Sequence, residues 1–298
     1  MARILNFGSL NLDFVYQVPH LVKTGETLSA TGYTCHAGGK GLNQSIALRQ
    51  AGADICHAGK IGSDGTMLVD MLKQYGVNTQ YIRVCPEKTG HAVIQVDKQG
   101  QNCILLFGGA NQAIETADIN TVLGDFSAGD VLVLQNEINQ INDLLHAGRK
   151  QGMKIILNPS PYSSEMLQYD LDMVDLFVLN EIEGEAMTGV SDSQSMGQAM
   201  QKRFPKAAIL LTLGEAGSEY LAENCYVRQA AYSVPVVDTT AAGDTFLGYF
   251  VARTALGDTV EQALKLAAAA AAMAVSTAGA ARSIPSLAMV KEAFEGKI

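Results

Sequence analysis

Short runs of almost wholly apolar residues alternate along this chain with longer segments whose apolar positions recur every three or four residues. The short runs are Arg3–Phe7, Ile55–Gly59, Val131–Gln135, Lys154–Leu157, Leu176–Leu179 and Ala208–Thr212. The longer segments are Lys40–Ala51, Met67–Tyr75, Ile138–Gln151, Glu181–Thr188, Ser195–Phe204 and Ala242–Ala255. A strand that is apolar throughout needs cover on both faces. Strands of that kind separated by helices predict an α/β fold, with a mostly parallel central sheet, helices on both faces and right-handed crossovers.

Two stretches break the rule. Asp13–Ala37 alternates apolar and polar positions and holds Pro19 and two glycines. Thr89–Gly108 reads as a hairpin, His91–Val96 and Asn102–Phe107 around the turn Asp97-Lys98-Gln99-Gly100. Together these segments, about 13–37 and 89–110, predict a small antiparallel sheet over one edge of the core. It is either a plain extension of the sheet or a lid that excludes water from a reacting group. Residues 1–298 are otherwise read as one domain, without repeats or low-complexity linkers.

Composition narrows the partners. With 298 residues, 48% apolar and 17% charged, the chain is large enough for a substantial core. A net charge of −9 disfavours nucleic acid and anionic membranes. The five cysteines are scattered, with no C-x-x-C pair, which points away from disulfides and zinc and towards the cytoplasm. Met1-Ala2-Arg3 leads straight into a strand, so no signal peptide is expected. The most apolar stretch, Leu266–Val275, is mostly alanine and falls short of the roughly 20 residues of a membrane span, so it reads as a buried helix.

The chemistry gathers where strands end. Val237–Phe246 runs from an apolar strand through Asp238, Thr239 and Thr240 to Ala241, Ala242, Gly243 and Asp244 at a helix start. Small residues let the backbone approach a ligand, and helix-start amides attract an anion. One carboxylate among those donors can take a proton, the layout suited to phosphoryl transfer to a hydroxyl. Ala37-Gly38-Gly39-Lys40-Gly41-Leu42-Asn43-Gln44 is a Gly-rich helix entry, but it matches neither a P-loop nor a dinucleotide fingerprint. Asn11 and Asp13 follow the first strand and share a side if extended, which suits neighbouring sugar hydroxyls; an Asx turn would account for them equally. Asn180 and Glu183 lie one helical turn apart, so Glu183 either holds the water shell of a magnesium ion or merely helps cap a helix. Thr212, Gly214 and Gly217 follow another strand and suit a phosphate or an empty turn. Glu137 ends a further strand where it can meet an acceptor. No histidine pair has metal-ligand spacing, no G-x-S-x-G occurs, and the five histidines read as structural or exposed.

In their order these segments resemble the ribokinase-like (PfkB) carbohydrate kinases, and the ribokinase branch most closely. The resemblance covers nearly the whole chain, from Gly8–Asp13 through Gly38–Asn43, Gly108–Asn111, Asn158–Pro161, Asn180–Glu183 and Thr212–Gly217 to Asp238–Asp244 and Gly279–Pro285. It implies a ribokinase-like fold with a small β lid and transfer of the γ-phosphate of ATP to a sugar hydroxymethyl group, D-ribose to ribose 5-phosphate first among them. Another acceptor, a ketohexose or a nucleoside, is the alternative; Phe14, Tyr16 and Phe107 offer a surface for a base or plain packing. A sugar- or nucleotide-binding regulator without catalysis is the reading from another class, and the intact Asp244 argues against it.

The same resemblance implies roles. Asp244 is the general base, and the amides of Ala241, Ala242, Gly243 and Asp244 form the anion hole. Asn11, Asp13, Gly39, Lys40, Asn43 and Glu137 match sugar-contacting positions. Asn180, Thr212, Gly214, Gly217 and Gly243 match ATP-contacting positions, and Glu183 the residue that places Mg2+ through water. A K+ site would take Asp238, Thr240, Ala274, Thr277, Gly279 and Ser283; Thr277 stands where the branch often has a basic residue. Exposed lid strands carrying Val93, Ile104 and Leu106 imply a homodimer joined through the lids.

Overall fold

In a computed structural model, which describes residues 2–298, all six apolar runs are strands. The first part of the chain forms β1 (Ile4–Phe7), β2 (Asn11–Gln17), β3 (Gly32–Gly38), α1 (Lys40–Gln50), β4 (Ile55–Ile61), α2 (Thr66–Gln74), β5 (Asn78–Val84), β6 (Gly90–Val96) and β7 (Asn102–Phe107). The middle continues with α3 (Thr116–Leu123), β8 (Val131–Gln135), α4 (Ile141–Lys150), β9 (Lys154–Asn158), β10 (Leu176–Asn180), α5 (Glu181–Thr188) and α6 (Ser193–Arg203). The last part is β11 (Ala208–Thr212), β12 (Ser218–Ala222), β13 (Cys225–Gln229), α7 (Ala242–Ala255), α8 (Val260–Val275) and α9 (Leu287–Ala293).

The main sheet has the order β13-β12-β11-β10-β9-β8-β1-β4-β5. Neighbours from β11 to β5 run parallel, and β12 and β13 add an antiparallel hairpin at the far edge. The period of two along each strand divides the core. Ile4, Val131, Val133, Val178 and Leu210 point to one face, under α1, α2, α7, α8 and α9. Leu5, Leu132, Leu134, Leu179 and Leu211 point to the other, under α3, α4, α5 and α6. Both faces are therefore covered, as the uninterrupted apolar runs require. No helix among the described residues is long and apolar enough to cross a membrane. The alanine-rich α8 packs on α7, with Ala267, Ala269, Ala270 and Ala274 fully buried.

Strand order reverses at β1. From there the chain proceeds one way to β4 and β5, and later the other way to β8 and beyond. Loops leaving β1 and β8 must diverge at such a reversal, and they open a crevice beyond the carboxyl ends of the strands.

The second sheet differs from the sequence expectation. Its order is β3-β2-β6-β7, and it is mixed rather than antiparallel, because β2 and β6 pair in parallel. Each follows a strand of the parallel sheet, β1 or β5, and leaves its carboxyl end in the same sense. The hairpin β6–β7 forms as read: Asp97 accepts from the amides of Gln99 and Gln101, both at 2.9 Å, and Gly100 takes φ 79. The helix expected from Ile138 begins only at Ile141. Gln140 adopts φ 62, while Asn139 turns its side chain onto the backbone of Ile114. Ile138 keeps an apolar role without being helical, buried in the core beneath α4.

Candidate active site

Five strand ends meet at the crevice. β1 delivers Ser9 and Asn11, β8 delivers Glu137, β9 Asn158, β10 Asn180 and β11 Thr212. A cavity of about 220 Å³ is walled by Lys40, Asn158, Asn180, Glu183, Thr212, Ala241, Gly243 and Asp244. Residues spread from 40 to 244 in sequence thus share one space.

The Gly-rich entry to α1 is shaped by close backbone approach. At Gly41 a Cβ would lie 2.4 Å from the amide nitrogen of Ser9, and Gly39 holds φ 96. That contact lets Ser9 Oγ accept from the Gly41 amide at 3.1 Å while donating to Glu137. Glu137 also accepts from the Lys40 amide at 3.0 Å. Burial pushes the Glu137 carboxyl upward, against the opposing pull of Ser9 and Lys40. Burial pulls the Lys40 ammonium down, but Asp244, Glu137 and Glu183 outweigh it and hold its pKa above the ordinary lysine value. Lys40 is therefore a fixed positive charge among three carboxylates.

Asp13 and Asn11 sit where β2 leaves the crevice. Asn11 Oδ1 accepts from Asn111 Nδ2 at 2.7 Å, and Asn111 is itself locked to the backbone of Leu10. Asp13 lies against Gly38, where a Cβ would stand 2.1 Å from its Oδ2. Burial first, and then the charge of Glu137, raise its pKa from 3.8 to about 6. Phe14, His91 and Phe107 stack on one another in the small sheet, at 5.4 and 5.0 Å between ring centroids. Tyr16 pairs with Tyr33 at 5.1 Å.

Asp244 occupies the first turn of α7, and only 8% of it is exposed. The turn before it is forced by Ala241 at φ 61, a left-handed conformation that costs an alanine on the order of 1 kcal/mol. The Ala242 amide reaches Thr239 O at 3.3 Å. The amides of Gly243 and Asp244 precede the point where a helix supplies its own acceptors, so they remain free for an anion. The Asp244 carboxylate is held from the opposite side by α1: Oδ1 accepts from Gln44 Nε2 at 2.9 Å and Oδ2 from Asn43 Nδ2 at 3.2 Å. Gly248, one turn further along α7, permits this approach, because a Cβ there would be 2.4 Å from that of Ala47.

At the other wall, Asn180 and Glu183 form a reciprocal cap on α5. Asn180 Oδ1 accepts from the Glu183 amide at 2.9 Å, and Glu183 Oε2 accepts from the Asn180 amide at 3.0 Å. The capping role open to this pair in the sequence is therefore real, and the buried Glu183 still lines the cavity. Gly214 and Gly217 hold φ 53 and 98 around a tight turn after β11. Asp238, Thr240 and Gly279 meet beside the start of α7. Asp238 Oδ1 accepts from Thr240 N and Oγ1 at 2.9 and 2.6 Å, and Oδ2 from Gly279 N at 2.9 Å. Val275 O accepts from the Asp238 amide, which draws Ala274 and Thr277 to the same end of α8. Ser283 is buried and spends its hydroxyl on Ala280 O. The donors around Asp238 hold its carboxyl below the usual range, although burial acts in the other direction.

Residues 1–287 match the sequence model of the pfkB family carbohydrate kinases. The chain belongs to that family. A ribokinase of Haemophilus influenzae is 35% identical over 288 residues, covering 93% of this chain and 94% of that one. A deoxyribokinase of Salmonella typhimurium is 32% identical, covering 96% of each. Among solved structures, Arabidopsis thaliana ribokinase complexed with ribose and ATP superposes with a TM-score of 0.87 at 32% identity over 99% of both chains. Several residues at or behind the candidate site carry polar contacts that sequence reasoning left without a role: Ser9, Gln44, Asn111, Gln135 and Asn158. The available signal was a polar residue inside or just after an otherwise apolar strand, as at Asn6 and Gln135.

Proposed function

We propose that this protein is an ATP-dependent sugar kinase that transfers the γ-phosphate of ATP to the hydroxymethyl group of D-ribose. The observation that carries the reading is Asp244: a carboxylate buried at a helix start, held by two side-chain amides, at the wall of a cavity where strand ends converge. The ribokinase relatives, one of them solved with ribose and ATP, support the choice of acceptor and donor.

In this reading Asn11, Asp13, Gly39, Asn43 and Glu137 hold the sugar so that its hydroxymethyl oxygen faces Asp244. Asn43 is suited to this by its two ends: Nδ2 holds Asp244 while Oδ1 is buried without a partner among the described residues, free to accept from a sugar hydroxyl. As the oxygen attacks the γ-phosphorus, the bond from that phosphorus to the β–γ bridging oxygen breaks, ADP leaves, and the hydroxyl proton passes to Asp244. The free amides of Gly243 and Asp244 receive the γ-phosphate oxygens, the Ala242 amide would join them on leaving Thr239 O, and Lys40 offsets their charge. Asn180, Thr212, Gly214, Gly217 and Gly243 bind the rest of the nucleotide.

Mg2+ would be held through water by Glu183, a hard carboxylate donor at the cavity wall, and would neutralise phosphate charge. K+ would be taken by Asp238, Thr240, Ala274, Thr277, Gly279 and Ser283, an all-oxygen set beside the α7 turn, and would stiffen the anion hole. The small sheet acts as the lid. Its strand β7 leaves Ile104, Leu105, Leu106 and Phe107 each more than half exposed, which supports pairing of two lids in a homodimer. The cysteine pattern supports a cytoplasmic enzyme.

ADP release, measured with D-ribose, 2-deoxy-D-ribose, ketohexoses and nucleosides, each with K+ and with tetramethylammonium, tests the reading. Ribose should give the highest kcat/KM, and K+ should raise it. A clear preference for a nucleoside would overturn the acceptor, and equal rates in both salts would overturn the K+ site.

A further inference from the structure

The contact between Gln44 and Asp244 is the last link of a buried chain of side-chain amides. Gln44, Gln135, Asn6, Ser45 and His57 are all fully buried. Gln44 Nε2 donates to Asp244 Oδ1 at 2.9 Å and to Asn158 Oδ1 at 3.2 Å. Gln44 Oε1 accepts from Gln135 Nε2 at 2.7 Å, and the same nitrogen donates to Asn6 Oδ1 at 2.8 Å. Asn6 Nδ2 in turn donates to Gly41 O at 2.8 Å and to Ser45 Oγ at 2.9 Å. Ser45 Oγ then lies 2.7 Å from His57 Nδ1.

The direction of the links between the side-chain amides is fixed. Asn158 Nδ2 donates to Val178 O at 2.8 Å, so its Oδ1 is the acceptor facing Gln44. A flipped Gln44 amide would turn its oxygen onto two other oxygens, Asn158 Oδ1 and Asp244 Oδ1, and its NH2 onto the donor of Gln135. With Gln44 and Gln135 fully buried, neither error is repaired by water. Ser45 accepts from Asn6, and its contact with His57 Nδ1 runs in the direction the imidazole tautomer sets. Burial drops the His57 pKa to about 3, and it enters the network as a neutral imidazole. From Asn6 to Asn158 the amides therefore present a single arrangement, with a donor aimed at one oxygen of Asp244.

We propose that Gln44 is a positioning residue for phosphoryl transfer: it pins Oδ1 of Asp244, so that Oδ2, shared with Asn43, meets the acceptor hydroxyl at a fixed angle. The proposal rests on the kinase reading. Gln44 itself touches no substrate in this arrangement. Its effect falls on the proton transfer and leaves ground-state binding alone, so kcat should change without KM.

The test uses the full-length protein with D-ribose and ATP. Gln44→Met keeps the length of the side chain and removes both the donor and the acceptor. Gln44→Glu keeps an acceptor for Gln135 but sets a second carboxylate against Asp244. A lost hydrogen bond to a charged group translates into a fall in kcat of roughly 10- to 100-fold for Gln44→Met. Gln44→Glu should fall at least as far. Both KM values, and the ADP and ribose affinities measured by calorimetry, should stay within about threefold of wild type. A residue that merely supports the fold would lower the melting temperature and leave kcat per folded molecule unchanged. An active wild type whose two Gln44 variants keep at least half its kcat, or lose KM and kcat together, overturns the positioning role alone. A wild type that phosphorylates no sugar overturns the kinase reading and this role with it.

Discussion

Asp13 is costly to the free protein. Its carboxyl takes no hydrogen bond from the chain among the described residues, and burial and the nearby Glu137 raise its pKa from 3.8 to about 6. A raised carboxyl pKa means that the folded chain holds a proton the unfolded chain has already released. Below pH 3.8 the group is protonated in both states and costs nothing. Above about pH 6 it is ionised in both, and the folded state bears the full penalty. A shift of about two units at 1.36 kcal/mol per unit gives about 3 kcal/mol. An asparagine at this position would be neutral at every pH and nearly the same shape.

Asp13→Asn should therefore be more stable than wild type by about 3 kcal/mol at about pH 7.5, shrinking to about 1 kcal/mol at about pH 4.5. Urea unfolding followed by circular dichroism at the two pH values measures both differences. The stabilised variant should bind sugar worse. Losing a charged acceptor for hydroxyls raises the KM for ribose by roughly 10- to 100-fold, with the KM for ATP unchanged. Stability traded against binding is the expected behaviour of a site kept poised for a ligand. A variant no more stable than wild type at the higher pH would refute the burial argument. A gain of equal size at both pH values would show that ionisation is not its source.

Asp244→Asn should leave ADP and ribose binding within a fewfold of wild type and lower kcat by roughly 10²- to 10⁴-fold; near-normal turnover removes Asp244 as the base. Gly248→Val should wedge α7 from α1, because even a Cβ would stand 2.4 Å from that of Ala47. It should destabilise the protein by about 1–3 kcal/mol and lower kcat, and unfolding curves that match wild type would show that the helices need not touch there. Leu105→Asp, on the exposed strand β7, should leave a monomer in sedimentation at micromolar concentration; a mass unchanged from wild type places any dimer contact elsewhere.

Legibility followed sequence distance and burial. The strands were readable because both of their faces are covered, so their apolar runs are unbroken. Asn158, Asn180 and Thr212 close such runs and Glu137 lies just beyond one, but the strand expected before Asp238 is absent: residues 230–241 are irregular, and Val236 and Val237 are exposed because no neighbouring strand covers them. The pairing of β2 with β6 was not readable. It depends on two strands leaving β1 and β5 in the same sense, which no local pattern records. The start of α4 was misplaced for a local reason of another kind: Ile138 is apolar at helical spacing, and only Asn139 and the left-handed Gln140 separate it from the helix.

The hold on Asp244 was the hardest feature to see. Gln44 and Asp244 stand two hundred positions apart, and what joins them is the packing of α1 on α7. The determinant of that packing is Gly248, and a glycine in a helix reads as a weakness at about 1 kcal/mol relative to alanine. In the structure the missing Cβ is the reason the helices meet closely enough for side chains as short as Asn43 and Gln44 to reach a carboxylate on the facing helix. The segment Asn43-Gln44 therefore divides its amides: Asn43 donates to Asp244 and keeps its own Oδ1 buried without a partner among the described residues, and Gln44 turns its whole amide inward. Exchanging the two residues would preserve composition, helix propensity and hydrophobic pattern, yet it would remove both contacts. A site built this way is specified by which amide faces which oxygen, and sequence patterns carry that information only once the helices are in place.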